Sequence, residues 1–225
     1  MRFPSFWAAG GAAMLLAGCG LISSDVSRIT VDLPSQTYTF DTSMWGNIPT
    51  GATFPSIPCT SDPDCCSLPT VNCTMTPLVC DNSVCEAQIP ESVSTPVSLA
   101  GQPGLTQTAS LVKITISSIT YAVSNNTMNV DLPPFIIYMA PNNVTSPSDT
   151  RAIAFGTVPA IPAGTNPSGQ VQLMANSAAT FEMFTGNISV PFNLIAATTV
   201  DIPGGSPIPS GHITVTVSGT LSAQL

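Results

Sequence analysis

The sequence predicts an all-β protein: a β-sandwich that carries a small disulfide-rich loop insert and follows a cleaved signal peptide. Three observations support this prediction. Short segments rich in Val, Ile, Thr and Tyr alternate apolar and polar residues with a period of two, as half-buried strands do. Clusters of Gly, Pro and Asn separate these segments and indicate turns. Six of the seven cysteines fall between Cys59 and Cys85.

The chain opens with the features of a secretory signal. Arg2 supplies a positive charge, and an uncharged, mostly apolar run follows from Phe6 to Ala17. This run fits the roughly 7–15-residue apolar region of a signal peptide, whereas a transmembrane helix needs roughly 20 residues. We therefore expect residues 1–18 to be removed from the 225-residue chain.

The end of this run is more specific. Leu16-Ala17-Gly18-Cys19 resembles the lipobox of bacterial lipoproteins, in which the cysteine is acylated and becomes the first residue of the mature chain. The resemblance implies acyl chains such as palmitate on Cys19, a tether over 19–26, and attachment to a membrane. Two acyl chains suffice for stable anchoring, whereas one is marginal. An aspartate after the cysteine favours the inner membrane in that family; Gly20 implies the outer membrane, periplasmic or surface-facing, in a Gram-negative host.

Export changes how the other cysteines are interpreted. Outside the cytoplasm thiols oxidise, and an even cluster is typical of a disulfide framework. No C-x-x-C pair is present, so the usual zinc and thioredoxin-like spacings are missing. We predict three disulfides in a compact insert over 59–85, with the adjacent cysteines bonded to different partners and the pairing left open. The six are Cys59, Cys65, Cys66, Cys73, Cys80 and Cys85.

Three carboxylates in the insert, Asp62, Asp64 and Asp81, are weak calcium candidates, because calcium prefers oxygen ligands. The full calcium-loop pattern is absent. Asp and Asn also stabilise turns by accepting bonds from nearby backbone N–H groups. We therefore expect turn chemistry here, and we predict no metal and no cofactor.

Charged residues are scarce. Loss of Arg2 leaves three bases and changes the net charge from −8 to −9. Arg28, Lys113 and Arg151 lie far apart in the sequence, so we expect no basic patch. Nucleic-acid binding is excluded on this ground. Membrane attachment is expected to depend on the lipid of Cys19 alone.

We expect the sandwich to occupy 27–58 and 86–225 and to contain seven to nine strands. A change of parity predicts a bulge near Ser117-Ser118, residues 86–109 read as a connector, and 177–184 reads as a short helix. The predicted strands are 29–33, 36–40, 111–124, 127–132, 135–140, 151–158, 170–174, 187–195 with its strand character continuing over 196–202, and 211–221.

A second resemblance concerns the C-terminal half. SSITYAVSNNTMNVDLPP (117–134), followed by FIIYMA (135–140), is similar to the strand, Asn-containing turn and Pro-ended strand of LEA-2 or WHy proteins. The segment GTVPAIP (156–162) is similar to a further motif of that family. The resemblance covers roughly 110–225 and implies an immunoglobulin-like sandwich. It implies no catalytic residues.

The sequence shows no catalytic constellation. His212 is the only histidine, Ser210 precedes it without a G-x-S-x-G elbow, and four further carboxylates are scattered: Asp131, Asp149, Glu182 and Asp201. We predict a non-catalytic, lipid-anchored envelope protein that acts as a structural or interaction module through its 59–85 insert. Two alternatives stay open: a binding protein for an apolar or lipid ligand, suggested by the apolar segment 135–140, and an envelope hydrolase with an unrecognised carboxylate site.

Overall fold

The computed structural model describes residues 28–45, 53–66, 77–102 and 113–224. The predicted signal peptide, Cys19 and Cys73 lie outside these residues. The described chain forms two antiparallel sheets with a hydrophobic core between them, and two disulfides cross-link a loop beside one sheet. This architecture confirms the predicted β-sandwich with a disulfide-linked insert.

Ten strands and two α-helices lie in these residues. The strands are β1 (Arg28–Asp41), β2 (Leu78–Asp81), β3 (Val84–Val97), β4 (Lys113–Ser124), β5 (Phe135–Pro141), β6 (Ile153–Val158), β7 (Ser168–Gln170), β8 (Gln172–Leu173), β9 (Phe192–Ile202) and β10 (His212–Gln224). The helices are α1 (Asp62–Cys65) and α2 (Ser177–Thr185), and a 3-10 turn spans Thr42–Met44. One sheet has the strand order β1-β10-β4-β7, and the other has the order β2-β3-β9-β5-β6-β8.

The four-stranded sheet follows the predicted alternation closely. In β1, Val31, Leu33, Tyr38 and Phe40 are buried, and the intervening threonines are exposed. The two segments predicted around Pro34 form one strand, because a register shift between Leu33 and Gln36 absorbs the proline. The predicted bulge is also confirmed. Thr220 pairs with Ser118 and Leu221 pairs with Ile116, which leaves Ser117 as the extra residue.

The prediction of a connector over 86–109 is wrong, because β3 is a 14-residue strand. The sequence did not predict this strand, because β3 contains prolines and proline is rare in the interior of a sheet. The Gln88 N–H donates to Pro77 on the β2 side, so residues of even number in β3 direct their backbone groups away from β9. β2 ends its pairing at Ala87, and the described chain places no strand beside the rest of that edge. Pro90 and Pro96 therefore sit where no ladder hydrogen bond is lost.

Three other predictions need correction. Residues 127–132 are not a strand; they run beside 208–212 and contribute only a bridge from Leu132 to Ile161. The segment 170–174 crosses between the sheets, with β7 paired to β4 and β8 paired to β6. Residues 187–191 form turns after α2, and β9 begins only at Phe192. In each case the alternation of apolar and polar residues arises because some side chains, such as Met128, are buried, although the backbone forms no continuous ladder of strand hydrogen bonds.

The outer face of the six-stranded sheet is partly covered. The core side chains of β5, Phe135, Ile137 and Met139, are buried, whereas Ile136 and Tyr138 on its other face are half-buried. Ile195 of β9 is fully buried on this outer side, because it packs with Ala140 and Val144 of the segment that follows β5. The two-sided apolar character of 135–140 therefore reflects one core face and one incompletely covered face.

The sandwich has two ends, which we call the Arg28 end and the His212 end. At the Arg28 end, Arg28 pairs with Gln224, which in turn pairs with Lys113. At the His212 end, Asp41 pairs with His212. In the other sheet β9 runs from the Arg28 end towards the His212 end, since Ile202 is joined to β10 by only nine residues.

By strand register the three bases belong to one end of the sandwich, together with the carboxylates Asp32, Asp149 and Glu182. Arg28 and Lys113 stand two strands apart at the Arg28 end. Arg151 lies in the segment after β5, whose last residue, Pro141, pairs with Phe192, the first residue of β9. This segment also belongs to the Arg28 end. Most carboxylates lie towards the other end: Asp41, Asp62, Asp64, Asp81, Glu86, Asp131 and Asp201.

Substitution of Gly211 tests the tight approach of the chain to Thr127 just before β10 begins. Its φ is +117°, and an added Cβ would clash with the backbone carbonyl of Thr127. We expect Gly211→Ala to lower the free energy of unfolding by more than about 2 kcal/mol, because backbone strain adds to a clash with backbone atoms. Urea denaturation measures this loss.

Gly164→Ala is the matched control, with a φ of +63° and nothing within 4 Å of the added Cβ. It is expected to show only the left-handed backbone cost, about 1–2 kcal/mol. Equal losses in the two variants would contradict the contribution of the clash.

Candidate functional site: the disulfide-linked insert

The insert is attached to the edge of the six-stranded sheet by a tight hairpin. β2 pairs with the start of β3, with Cys80 opposite Cys85. Asn82 and Ser83 connect the strands with φ values of 48° and 66°. Positive φ at both central residues is typical of the type I′ turn that matches strand twist in two-residue hairpins. The hairpin therefore fixes which cysteines face each other.

Each cysteine of the hairpin is bonded to a cysteine before it in the chain. Cys59 is bonded to Cys80, and Cys65 is bonded to Cys85. The sulfur atoms of Cys59, Cys65 and Cys85 all lie within 4.8 Å of one another, so the two bridges pack together. Because these sulfurs are joined in disulfides, they offer no thiolate to a metal ion.

The adjacent cysteines have different partners, as predicted. Cys66 is also disulfide-bonded. Cys59, Cys65, Cys80 and Cys85 are occupied by one another. The partner of Cys66 therefore lies outside the described residues. Cys65 and Cys85 are fully buried, so their bridge is part of the hydrophobic core rather than a surface clip.

The insert carboxylates take part in caps and turns. Asp64 Oδ2 accepts from the Thr60 N–H and hydroxyl at 2.8 Å and from the Ser61 N–H at 3.0 Å, which lowers the pKa of Asp64. Asp62 Oδ1 accepts from the Cys80 N–H at 2.8 Å, and Asp81 accepts from the Asn82 side chain. Asp62 thereby occupies a donor on the outer edge of β2, which limits strand addition there. These contacts are the expected turn chemistry.

Sequence reasoning missed a group of carboxylates that the sheet brings together. Burial raises the pKa of Glu86, and repulsion from Asp201 and Asp81 raises it further. These residues lie on three neighbouring strands, β3, β9 and β2. No local pattern signals such a group, because the proximity arises from strand order. The insert edge is consequently acidic.

Glu86→Gln tests this repulsion. The folded-state pKa of Glu86 is raised, so ionisation opposes folding at pH values above it and has no effect below the unfolded pKa of about 4.3. We expect the variant to be more stable than the parent at pH 7 by a few tenths of a kcal/mol, since solvent screens exposed charges. The gain should vanish near pH 3 in thermal melts. An equal gain at both pH values would contradict the electrostatic explanation.

Removal of one bridge tests what holds the insert. Cys59→Ala with Cys80→Ala opens a loop of 21 residues. The expected cost is about 3 kcal/mol, because the unfolded chain gains freedom. Urea denaturation of the oxidised double variant measures it. The matched pair Cys65→Ala with Cys85→Ala should cost more, since those side chains are fully buried in the core. The reverse order would contradict the core position of that bridge.

The other residues singled out in the sequence stay apart. His212 is exposed, and its Nδ1 lies 3.2 Å from the Thr127 hydroxyl, whereas the Ser210 N–H donates to Asn129. Asp131 accepts from the Ala163 N–H, Asp149 pairs with Arg151 at 2.8 Å, Glu182 is exposed on α2, and Asp201 lies beside Glu86. Among the described residues, the only close group of three metal-ligating types consists of the bonded cysteines.

A groove of about 560 Å³ lies on the outer face of the six-stranded sheet. Ile136 and Tyr138 line it with Pro134, Pro90 and a serine-containing segment, 146–148. Glu91 borders the groove, and it shares with Ile89 the parity of β3 that faces the inside of the sandwich. Burial raises the pKa of Glu91. An inward-directed carboxylate on an open edge opposes strand addition.

Comparisons with known proteins add no family. No family model matches the chain, and no curated protein matches it. Among solved structures, the empty head of turnip yellow mosaic virus is similar at 12% identity and a TM-score of 0.23, covering 96% of this chain and 89% of that chain. A TM-score this low supports no conclusion. Within the described residues, the helices are too short or too polar to cross a membrane.

Proposed function

We propose that this chain is a lipid-anchored protein of the cell envelope and acts as a non-catalytic interaction module. The acyl chains on Cys19 would hold it at the membrane, and the insert would contact a protein partner. The observation that carries the proposal is the pair of packed disulfides that join the insert to the sheet edge. Such frameworks persist in oxidising compartments, so they support export of the chain.

The cysteine count supports the assignment of Cys19. Two bridges use four cysteines, and Cys66 needs a further partner outside the described residues. Cys19 and Cys73 are the two that remain. Cys66 can take only one of these two, so one cysteine of the chain is left over, as a lipidated Cys19 requires.

The arrangement of the ends supports a presenting role. The tether joins the fold at Arg28, whereas the insert packs at the other end, where Gly204 of the β9–β10 connection approaches Val84 and Cys85. β10 runs between the two ends with 13 residues. At roughly 3.3 Å per residue it spans about 40 Å. The sandwich would therefore hold the insert well away from the membrane.

Labelling with a fatty acid tests the anchor. We expect the full chain, expressed in a bacterium with lipoprotein processing, to incorporate the label. Cys19→Ala should lose it, because the acylated sulfur is gone. Cys73→Ala keeps Cys19 and serves as the matched control. Label retained in Cys19→Ala would refute the anchor.

Charge reversal tests the insert surface. Deletion of 59–85 is unsuitable, because β3 begins at Val84 and Cys85 is a core residue. Asp81→Lys is suitable, since Asp81 is exposed and, among the residues that the structure describes, its carboxylate accepts a hydrogen bond from the neighbouring Asn82 side chain alone. We expect crosslinking to an envelope partner to fall at least about tenfold, as for loss of 1.4 kcal/mol at an interface.

The matched control is Asp32→Lys, an exposed change of the same charge on β1 near the Arg28 end. Unchanged crosslinking in Asp81→Lys, or an equal loss in Asp32→Lys, would contradict the role of the insert.

The groove supports a second candidate function, the binding of an apolar or lipid ligand. Its floor includes Ile136 and Tyr138, which no second layer covers fully. A lipid retained by the purified protein in native mass spectrometry, and lost in Ile136→Asp, would favour this function over the first.

A further inference from the structure

We infer that the two packed disulfides of the insert can exchange partners, so that the bridges Cys59–Cys80 and Cys65–Cys85 are replaced by Cys59–Cys65 and Cys80–Cys85. The first set joins the segment 59–65 to the β2–β3 hairpin. The second set closes one bridge within the segment and one within the hairpin. The insert is thereby released from the sheet edge with no net oxidation or reduction. This inference is independent of the proposed lipid anchor.

The sulfur atoms lie close enough for such an exchange. The Sγ atoms of Cys59, Cys65 and Cys85 all lie within 4.8 Å of one another, although Cys59 is bonded to neither of the other two. Disulfides exchange when a thiolate attacks the sulfur of a neighbouring disulfide. Because a disulfide bond is about 2 Å long, the sulfurs of Cys59 and Cys65 have to approach by less than about 3 Å to form one.

Cys80 and Cys85 are placed for a bridge across the hairpin. They lie opposite each other in the pairing of β2 with β3. The Cys80 N–H donates to the Asp62 carboxylate and the Cys85 N–H donates to the Ile57 carbonyl, so the two cysteines form a non-hydrogen-bonded pair. The Cα atoms of such a pair are about 4.5 Å apart, which lies within the range of about 4.4–6.8 Å that disulfides span. The new bridge therefore requires no change of strand register.

Burial decides which bridge opens first. Cys80 is half-buried, whereas Cys65 and Cys85 are fully buried. A thiol from solvent therefore reaches the Cys59–Cys80 bridge, and the Cys65–Cys85 bridge is attacked only from within the insert.

The exchange needs a thiol, either a small one such as glutathione or that of a thiol oxidoreductase, and it regenerates this thiol. The incoming thiolate attacks Cys80 Sγ, forms a mixed disulfide and releases the Cys59 thiolate. The Cys59 thiolate attacks Cys65 Sγ, forms Cys59–Cys65 and releases the Cys85 thiolate. The Cys85 thiolate attacks Cys80 Sγ, forms Cys80–Cys85 and expels the original thiolate. Each step breaks one sulfur–sulfur bond and forms another, so electrons and protons balance.

The exchange changes the outer edge of β2. In the described form, Asp62 Oδ1 accepts from the Cys80 N–H at 2.8 Å and occupies this edge donor. After the exchange, neither of the two bridges joins the Asp62 segment to β2, so this hydrogen bond opens more often. An unoccupied edge donor is available to a strand of another chain. The two sets of bridges therefore correspond to a covered and an uncovered edge.

Single cysteine variants test the new bridges one at a time. The mature chain carries Cys19→Ala and is produced in an oxidising periplasm, so that no seventh cysteine takes part. In this background Cys59→Ala leaves the Cys80 thiol, which should attack Cys85 and release Cys65. Acid stops the exchange, because only the thiolate attacks, and N-ethylmaleimide then labels the free thiol of the unfolded protein. We expect Cys65 to carry at least about a tenth of the label, the share left by a difference of about 1.4 kcal/mol.

Cys80→Ala is the matched variant for the other bridge. It leaves the Cys59 thiol, which should attack Cys65 and move the label to Cys85. Digestion with endoproteinase Asp-N and chymotrypsin separates these cysteines, and tandem mass spectrometry locates the label. Label that stays entirely on the original thiol in either variant overturns the inference.

The parent protein tests the complete exchange. It is incubated with glutathione and digested in the same way, and the linked peptides are mapped. We expect Cys59–Cys65 and Cys80–Cys85 to appear together in equal amounts, because one exchange forms both. The described bridges alone, or bridges to the two remaining cysteines of the insert, would overturn the inference, since the latter indicate general scrambling. Fatty-acid labelling of Cys19 is unaffected by either outcome.

Discussion

The pairing of β3 with β9 is the constraint on which the rest of the structure depends. It runs without interruption from Ala87 to Val97 and sets the parity of β3. One parity directs Ala87, Ile89 and Val97 into the core. The other leaves the backbone of the prolines on the free edge, where they need no hydrogen-bond partner. A slip of one residue would exchange these two sets, so the core and the edge fix the same register.

The same strand attaches the insert to the sandwich. Cys85 is both a core residue of β3 and one end of a disulfide. The insert contributes few apolar residues, and the bridges replace the core that it lacks. Asp62 then occupies an edge donor of β2, and Asp64 caps the short helix α1. The insert is therefore an extension of the six-stranded sheet, joined to it by strand pairing and by a disulfide of β3.

The chain has few charged residues, so the position of each one strongly affects the charge distribution of the surface. Strand register brings the three bases to the Arg28 end, where the carboxylates Asp32, Asp149 and Glu182 also lie. Because antiparallel strands return to the same end, residues distant in sequence, such as Arg28 and Lys113, become neighbours across β10. The apolar turns after α2 lie at this end for the same topological reason.

The sequence by itself determined the properties that are local. Alternation identified β1, β4 and β10, the parity change located the bulge at Ser117, and the even cysteine cluster predicted disulfides. The strand that contains Pro90 and Pro96 could not be predicted locally. A proline lacks an N–H, and whether this destabilises a strand depends on whether a neighbouring strand would accept a hydrogen bond at that position. The pairing of cysteines, the Glu86 group and the position of the three bases depend on strand order and register. Only the tertiary structure decides those, because they are contacts between residues far apart in the chain.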